Sequence, residues 1–407
     1  MFSRHGLSVN LPHFLSKEFL LLLVLLYFLY GIVICIYRIT LHPLARFPGP
    51  KLAGATFWYE FYYDLFPHKL QYLWKIDELH ERYGPIVRIN PIHLHINDPE
   101  YLDEIYAGGK RKRNRDPWYY RSEPNGPLGW SVFQAVDHDV HRIRRAALNP
   151  FFSKRSIQEL EPMIAGKIDA LSSRFEAAVR TGEIVPLTYA CGALTMDVIS
   201  AYAFGAETGN MVRQDWGAEY LDAYSKLSQF GPIGRQFPWL AKFCLTVVPP
   251  GLMSRISPAA ALIPRNRLFF RDMIRDAILQ QEKEKKEDPE TSLLPAKKGK
   301  TIFQDIVRSK LPPSEKAPGR LAAEANLLLI AGTETTARTL AVVLFHILNN
   351  PTELQHLREE LAPLMPHSSS RPSLAELEAL PFFVRILFIY IVYTPLISKL
   401  ILEYLSC

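Results

Sequence analysis

The residues with the clearest potential for chemistry form a short polar stretch, AGTETT at residues 331–336, inside a long apolar run. A carboxylate in apolar surroundings costs free energy unless it has a partner. Gly332 weakens a helix and lets another group approach its backbone closely. Such a polar, loosened turn indicates a functional site. The alternative is a plain buried helix whose threonine hydroxyls bond to carbonyls one turn back.

A second candidate site lies in the stretch DHDVHRIRRAALNPFFS at residues 137–153. His141 and Arg145 are four residues apart and therefore share one face of a predicted helix. The planar guanidinium of arginine can bind both oxygens of a carboxylate. The alternative is a solvated basic helix face. His138 and His141 alone do not make a di-iron desaturase site, since such enzymes need several histidine clusters and multiple membrane spans.

The elements that must position these residues follow from the apolar pattern. Apolar residues around the polar stretch recur at spacings of three and four, so one helix of about 25–30 residues is predicted from near Leu321 to Asn349. It is apolar almost all round, which is typical of a helix buried in the middle of a fold. Residues 194–205 predict another helix, closed by Gly205.

The stretch at residues 331–336 resembles the central-helix signature of the cytochromes P450, the haem-thiolate monooxygenases. The resemblance implies that Thr335 is the alcohol at the oxygen side of the haem and that Glu334 feeds protons to it. It also implies that Ala331 and Gly332 make room for oxygen and substrate beside the cofactor.

The same resemblance gives a role to the second stretch. In the family, an aromatic residue or histidine and a cation four residues later hold the haem propionates, which implies these roles for His141 and Arg145. The NPFFS segment at residues 149–153 resembles fungal members of the family. The implied reaction inserts one oxygen atom from dioxygen into an apolar small molecule, with electrons from an NADPH-dependent reductase, and the fungal character favours secondary metabolism.

Composition and patterning set the fold class. The chain has 407 residues, 48% of them hydrophobic, which is enough for a large core in one domain or two. We predict a mainly α fold with a small β-rich part, whose strands lie near residues 86–89 and 94–97. The net charge of +6 fits a cytosolic face near an anionic membrane better than a nucleic-acid binder. Four scattered cysteines without a CxxC pair favour neither a disulfide framework nor a zinc site.

Residues 19–37 form an uncharged run of 19 residues, long enough to span a bilayer as a helix. A signal peptide is the rival interpretation, but its apolar core is normally shorter and is followed by small residues. Arg38, Arg46 and Lys51 follow here, which favours a cytosolic carboxyl-terminal side. We therefore expect a flank at residues 1–18, then a single-pass anchor in the endoplasmic reticulum membrane.

Several other segments carry weaker expectations. The basic run at residues 110–115 predicts a solvated loop, and a nuclear or nucleic-acid patch is the alternative. Residues 230–250 are apolar and broken by proline; they are either a substrate-cavity cap that dips toward the membrane or a buried irregular loop. Residues 280–300 are strongly charged and predict a mobile linker.

The resemblance covers residues 19–383, so we expect a partial P450 catalytic domain at 38–383 and an aberrant apolar tail at 384–407. The family's Glu-x-x-Arg helix would place its ion pair near Ile389 and Val392, which are apolar. Its loop with the axial cysteine is not found either, and Cys407 lacks the framing glycines and arginine. A translated retained intron or a truncated allele explains this tail better than a second membrane segment.

The tail gives the functional prediction an alternative. Without an axial thiolate, a haem lacks its main tether and the electron push that such enzymes need. A polypeptide with this sequence would then be a catalytically inactive, membrane-bound remnant of a haem monooxygenase. A plain helical membrane-associated binding protein is the third possibility, and haem content distinguishes it. Transcript sequencing across the codons for Phe383 and Val384 distinguishes the cases: a spliced form that encodes the missing motifs indicates a working monooxygenase, and read-through to Cys407 indicates a truncated protein.

Overall fold

The computed structural model describes residues 17–65, 70–106, 111–121, 128–206, 208–228, 231–256, 258–287, 301–367 and 369–388. The chain divides into two compact units, Met1–Arg111 and Lys112–Cys407. Within the described ranges it is mainly helical, and its strands form one two-stranded sheet. The predicted mainly α fold with a small β-rich part is confirmed.

The described part of the first unit contains five α-helices and two strands: α1 Lys17–Thr40, α2 Lys51–Ala55, α3 Trp58–Asp64, α4 Tyr72–Tyr83, β1 Ile86–Arg88, β2 Leu94–Ile96 and α5 Leu102–Ile105. The strands are antiparallel, and Val87 lies opposite His95. A small core of Tyr72, Ile76, Leu79, Val87 and Ile89 packs α4 against the sheet. Both strands lie where the sequence predicts them.

Helix α1 includes the whole apolar run at residues 19–37, and none of its residues is buried. By length and composition it is one of three described helices that could cross a membrane. The other two, Leu187–Phe204 and Pro318–Asn349, contribute residues to the main core of the second unit. The terminal helix α1 therefore fits a membrane anchor, and the two internal helices are explained by their packing.

The described part of the second unit contains the helices α6 His138–Leu148, α7 Lys154–Gln158, α8 Glu161–Thr181, α9 Leu187–Phe204, α10 Ala218–Ser228, α11 Gly231–Gln236, α12 Pro238–Thr246, α13 Pro250–Ile256, α14 Pro258–Glu287, α15 Ile302–Arg308, α16 Pro318–Asn349, α17 Pro351–Leu361 and α18 Leu374–Glu378. Helix α16 is the predicted central helix, with 32 residues. Helix α9 ends at Gly205 in the left-handed conformation, as predicted, but begins earlier than expected.

The main core lies between α9, α14, α15 and α16. Its buried members include Met196, Phe270, Phe303, Leu321 and Leu328. Short side chains let α9 and α16 approach closely: Ala190, Ala193 and Ala203 on α9 and Ala325 and Ala337 on α16 are almost fully buried. These two helices form the frame on which the polar stretch of α16 is placed.

Two predicted segments differ from the expectation. Helix α14 continues to Glu287, so the predicted linker at 280–300 begins as two turns of helix, while residues 288–300 lie outside the described ranges. The reason is that glutamine, glutamate and lysine are good helix formers even where no core holds them. The proline-broken segment near residues 230–250 forms the short helices α11 to α13 instead of an irregular loop.

At the carboxyl end, residues 381–388 are helical. Ile386 is 3% exposed and packs in one cluster with Val343 and Ile347 of α16. The first residues of the predicted aberrant tail thus join the core of the second unit. Residues 389–407, with Ile389, Val392 and Cys407, lie outside the described ranges.

Candidate functional site

The polar stretch of α16 has one open side and one buried side. Ala331 and Thr335, one turn apart, are exposed, whereas Thr333 and Ala337 are 1% and 0% exposed. The expectation of a helix buried all round is therefore wrong for its middle. Because residues four apart share a face, Ala331 and Thr335 form an open stripe beside the buried face of Thr333 and Ala337.

The threonine hydroxyls of this stretch bond back along the helix. Thr335 Oγ1 donates to the Ala331 carbonyl at 2.8 Å, and Thr333 Oγ1 donates to the Leu329 carbonyl at 2.6 Å. These bonds to carbonyls one turn back are the geometry expected of a plain buried helix, which is the alternative to a functional site. It leaves the lone pairs of the exposed Thr335 oxygen able to accept a hydrogen bond from a ligand.

Glu334 lies beside this stripe and is partly buried. Its carboxylate pairs with Arg338 at 3.1 Å, and Arg338 Nη2 donates to Ser225 Oγ of α10 at 3.3 Å. A surface pocket of about 310 Å³ meets Glu334 here, and its polar lining includes Tyr189 and Asp222. The acid of the stretch is thus partnered, as its burial requires, and lies next to an opening toward solvent.

Gly332 lies on a different face from Ala331. A Cβ at position 332 would come within 2.9 Å of Ile199 Cγ1 on α9. Nearby, Thr195 Oγ1 of α9 donates to the Thr333 carbonyl at 3.2 Å. The absence of a side chain at Gly332 thus lets α9 pack closely against α16. The predicted role of Gly332 toward a cofactor stays a prediction.

This contact predicts a stability effect. Gly332→Ala is expected to lower the free energy of unfolding by about 1–3 kcal/mol, because the added methyl group overpacks the α9–α16 contact. Gly319→Ala is the matched control on the same helix, since nothing lies within 4 Å of its Cβ position. Denaturant unfolding measures both, and equal stability of the two variants would contradict the prediction.

The second predicted site lies on α6. Asp137 caps this helix by accepting from the backbone N–H groups of Asp139 and Val140 at 2.9 and 3.0 Å. His141 is half-buried and Arg145 is exposed, one turn along the same face. Both residues therefore lie on one face of α6, and their role toward haem propionates stays a prediction.

Arg115 is a cation near this pair that the sequence interpretation did not single out. Its guanidinium lies over the rings of Tyr120 and Phe133, and its backbone N–H donates to the Val136 carbonyl at 2.9 Å. Burial lowers the pKa of His141, and the positive charge of Arg115 lowers it further, as do the charges of Arg145 and His138. A surface whose charges at Arg115, Arg145 and His138 all oppose a further proton on His141 is suited to an anion.

A buried ion network joins α6 to the amino-terminal end of α16. Arg144 binds both carboxylate oxygens of Glu315, at 2.8 and 3.0 Å, and Arg320 binds Glu315 at 2.9 Å. Arg320 also pairs with Glu324 at 2.9 Å. Glu324, which is fully buried, accepts from the backbone N–H of Val132 at 3.1 Å.

The network explains how the two sites are held together. Arg144 precedes Arg145 on α6, and Glu324 is two turns before Ala331 on α16, so one set of ion pairs fixes both helices. The hydrogen bonds from Arg144 lower the pKa of Glu315, whereas burial raises the pKa of Glu324. Planar, bidentate Arg–carboxylate bonds define geometry more sharply than point charges do.

The described residues fit part of a haem site. The cations around His141 suit two propionates, and the open stripe of α16 leaves space beside a hydroxyl. Within the described ranges, no three His, Cys, Asp or Glu side chains are grouped so that they could together hold a metal ion. Burial raises the pKa of the Cys191 thiol to about 11, which disfavours a thiolate there.

Comparison with known proteins adds the family. Residues 50–387 match the family model described as Cytochrome P450. Tryptophan 6-hydroxylase fscE of Fusarium equiseti is 39% identical over 359 residues, which cover 88% of this chain and 68% of the relative.

Two further relatives are named as monooxygenases. Cytochrome P450 monooxygenase oblB of Cochliobolus heterostrophus is 39% identical over 367 residues, covering 88% of this chain and 67% of the relative. Cytochrome P450 monooxygenase pbrB of Penicillium brasilianum is 37% identical over 355 residues, covering 87% and 67%. The chain thus spans about two thirds of the length of these relatives.

Proposed function

This chain belongs to the cytochrome P450 family. We propose that it acts as a haem-dependent monooxygenase, which inserts one oxygen atom of dioxygen into an apolar small molecule. The observation that supports this most directly is the open Ala331–Thr335 stripe beside the ion-paired Glu334 in the middle of α16. When bound, haem supplies the redox chemistry that no amino-acid side chain provides.

The residues of α16 would serve the oxygen side of that cofactor. Thr335 presents a hydroxyl that already donates to the Ala331 carbonyl, so its oxygen is oriented to accept a hydrogen bond. Glu334 lies between this stripe and the pocket with Tyr189 and Asp222, so its carboxylate can take up a proton from solvent and pass it inward. Ala331, with its single methyl group, leaves space beside them.

The cationic side chains on α6 and beside it would bind the negatively charged propionates of the haem. Arg145 and Arg115, whose charges both act on His141, offer guanidinium groups to the two propionates, and His141 adds an imidazole N–H. A bound carboxylate would reverse the local field that now lowers the pKa of His141. Haem binding is therefore expected to raise the pKa of His141.

The substrate class is proposed from the relatives and from the apolar surface. One relative is named a tryptophan 6-hydroxylase, and others are named as monooxygenases of fungal species. On α12, Trp239 and Phe243 are 66% and 50% exposed, one turn apart. We assign this helix to the substrate entrance, where it meets the membrane in which apolar substrates dissolve.

The cellular setting is proposed in the same way. Helix α1 would anchor the chain in the endoplasmic reticulum membrane, with the second unit in the cytosol. An NADPH-dependent reductase in that membrane would supply the electrons. We propose no nucleic-acid partner, because Lys112 and Arg115 of the basic run contact Asp139 and aromatic rings respectively.

The propionate roles predict a loss of haem affinity. Arg145→Ala is expected to weaken haem binding about 10- to 100-fold, the value of one hydrogen bond between charged partners. A haem titration followed by absorption measures the dissociation constant. Arg142→Ala, which removes an exposed arginine of the same helix, is the control. An unchanged affinity in Arg145→Ala, or an equal loss in the control, would contradict the assignment.

A further inference from the structure

The turn at residues 131–136 is bonded by side chains from both α6 and α16. The backbone N–H of Val132 donates to the two carboxylate oxygens of Glu324 on α16, at 3.3 and 3.1 Å. The Ser131 carbonyl accepts from Arg144 Nη1 of α6 at 3.4 Å. Ser131 and Val132 are 0% and 7% exposed. One charged side chain from each helix therefore holds this turn inside the second unit.

The turn is also closed by its own backbone. The N–H of Gln134 donates to the Ser131 carbonyl at 3.2 Å, and the N–H of Ala135 donates to the Val132 carbonyl at 3.3 Å. Planar peptide units leave only two soft dihedral angles per residue, so a turn closed in this way has little freedom. A displacement of Val132 is therefore passed on to the Phe133 carbonyl that follows it.

The far side of the turn holds Arg115. The Phe133 carbonyl accepts from Arg115 Nη1, and the Phe133 ring lies 6.0 Å from the guanidinium carbon of Arg115. The Val136 carbonyl accepts from the backbone N–H of Arg115 at 2.9 Å. Burial lowers the pKa of His141 on α6, and the charge of Arg115 lowers it further. The turn thus fixes a cation whose field reaches His141.

The burial of Glu324 is explained by this turn better than by its ion pair. Glu324 is 0% exposed and pairs at 2.9 Å with Arg320, which lies one turn earlier on the same helix. Apolar residues of similar volume often replace a buried ion pair without loss of stability. Stability alone therefore does not explain a carboxylate at this place. The bond that Glu324 makes to another part of the chain is the bond to Val132.

From these contacts we propose that Glu324 is a positioning residue for the haem propionates, because it holds Arg115 beside His141 through Val132 and Phe133. This inference rests on the proposed function, which assigns Arg115 and His141 to the propionates. The effect of Glu324 on the cofactor passes through Arg115. Releasing Arg115 from the turn and deleting its guanidinium should therefore have the same consequence.

Two variants of α16 separate the bond to Val132 from the buried charge. Arg320→Met combined with Glu324→Met removes the acceptor without leaving an unpaired charge, since Arg144 and Glu315 still bind each other at 2.8 and 3.0 Å. Glu324→Gln is the conservative variant, because its amide oxygen can still accept from Val132. We expect the combined variant to lose the positioning of Arg115 and Glu324→Gln to keep it.

The first measurement uses the full chain without haem. The ring signals of His141 are followed by NMR as the pH is varied, and His141→Gln assigns them. The combined variant should raise the pKa of His141 to the value found in Arg115→Ala, since the cation that lowers it has moved away. Arg145 and His138, which also lower this pKa, are the same in every variant. An unchanged pKa in the combined variant would overturn the inference.

The second measurement compares the affinities for haem and for haem dimethyl ester, whose propionates carry no charge. Arg115→Ala and the combined variant should each lose about 10-fold in affinity for haem, the value of one charged hydrogen bond. Neither should lose affinity for the ester. Adding Arg115→Ala to the combined variant should cause no further loss, because the two changes remove one interaction.

A matched control tests for general destabilisation. Asp197 on α9 is 1% exposed and holds a different loop by accepting from the backbone N–H groups of Asn210 and Met211, both at 3.1 Å. Asp197→Leu should leave the preference for haem over its ester and the pKa of His141 unchanged. An equal change in this control would reduce the role of Glu324 to ordinary stability and overturn the inference.

The outcomes separate the inference from the proposed function. If the wild-type protein prefers haem to its ester and the combined variant keeps that preference, the propionate contacts stand and the role of Glu324 is overturned. If the wild-type protein binds both ligands equally, the proposed propionate contacts are wrong and the inference fails with them.

Discussion

Glu334→Gln is expected to lower product formation per haem about 10²- to 10³-fold, the range typical of losing a positioned general acid. The amide keeps the size of the side chain and can still contact Arg338, but it cannot release and take up a proton. Electrons from the reductase do not pass through Glu334, so NADPH oxidation should fall less than product formation. Both rates are measured in membranes that contain the haem-loaded protein and a reductase.

Normalising to haem content separates chemistry from folding in that experiment. Glu359→Gln on the exposed side of α17 is the matched control, and it should leave both rates unchanged. Thr335→Ala should resemble Glu334→Gln in the ratio of product to NADPH consumed, since the hydroxyl is proposed to serve the same proton path. Product formation within about threefold of the wild-type rate in Glu334→Gln would exclude the proposed role.

Glu315→Ala is expected to destabilise the second unit by about 3–5 kcal/mol, the cost of removing one partner from a buried ion pair. Arg144 and Arg320 are each 8% exposed, and both would lose the carboxylate that compensates their burial. Denaturant unfolding measures the change. Glu378→Ala removes an exposed partner of Lys154 and should cost less than about 1 kcal/mol. Equal costs in the two variants would show that the network contributes no more than a surface pair.

Acid should weaken the same network in a defined window. The pKa of Glu315 is lowered from its ordinary value of 4.5, so its contribution to stability is complete above pH 4.5 and is lost as the pH falls through the lowered pKa. The pKa of Glu324 is raised by burial, so protonation of Glu324 acts in the opposite direction. In Glu315→Gln the part of the acid sensitivity that comes from Glu315 should therefore be missing.

Local patterns were enough to predict the elements that carry the site. The three- and four-residue spacing identified α16, the spacing of His141 and Arg145 identified the exposed face of α6, and an uncharged run identified α1. The middle of α16 was predicted to be buried because periodicity shows which residues are apolar, not which face has a neighbour. The open stripe at Ala331 and Thr335 could only be found in three dimensions.

The contacts between residues far apart in the chain could not be predicted from the sequence. Glu315 lies 171 residues after Arg144, and Glu324 lies 192 residues after Val132. No spacing rule joins residues so far apart, so four charged side chains of the network looked like ordinary surface charges. Arg115 was missed for the same reason: its run of basic residues reads as a solvated loop until α6 is placed beside it.

The separation between Arg144 and Glu315 also sets an order of events on the ribosome. At about 5–20 residues per second, roughly 10–35 seconds pass between the synthesis of these two residues. During that interval α6 has no counter-ion for its inward arginine, so α6 cannot settle into its final position. We therefore expect the early part of the second unit to reach its final packing only after the beginning of α16 has been synthesised. Synonymous codons that slow translation between residues 144 and 315 should lengthen this vulnerable interval and lower the yield of folded protein.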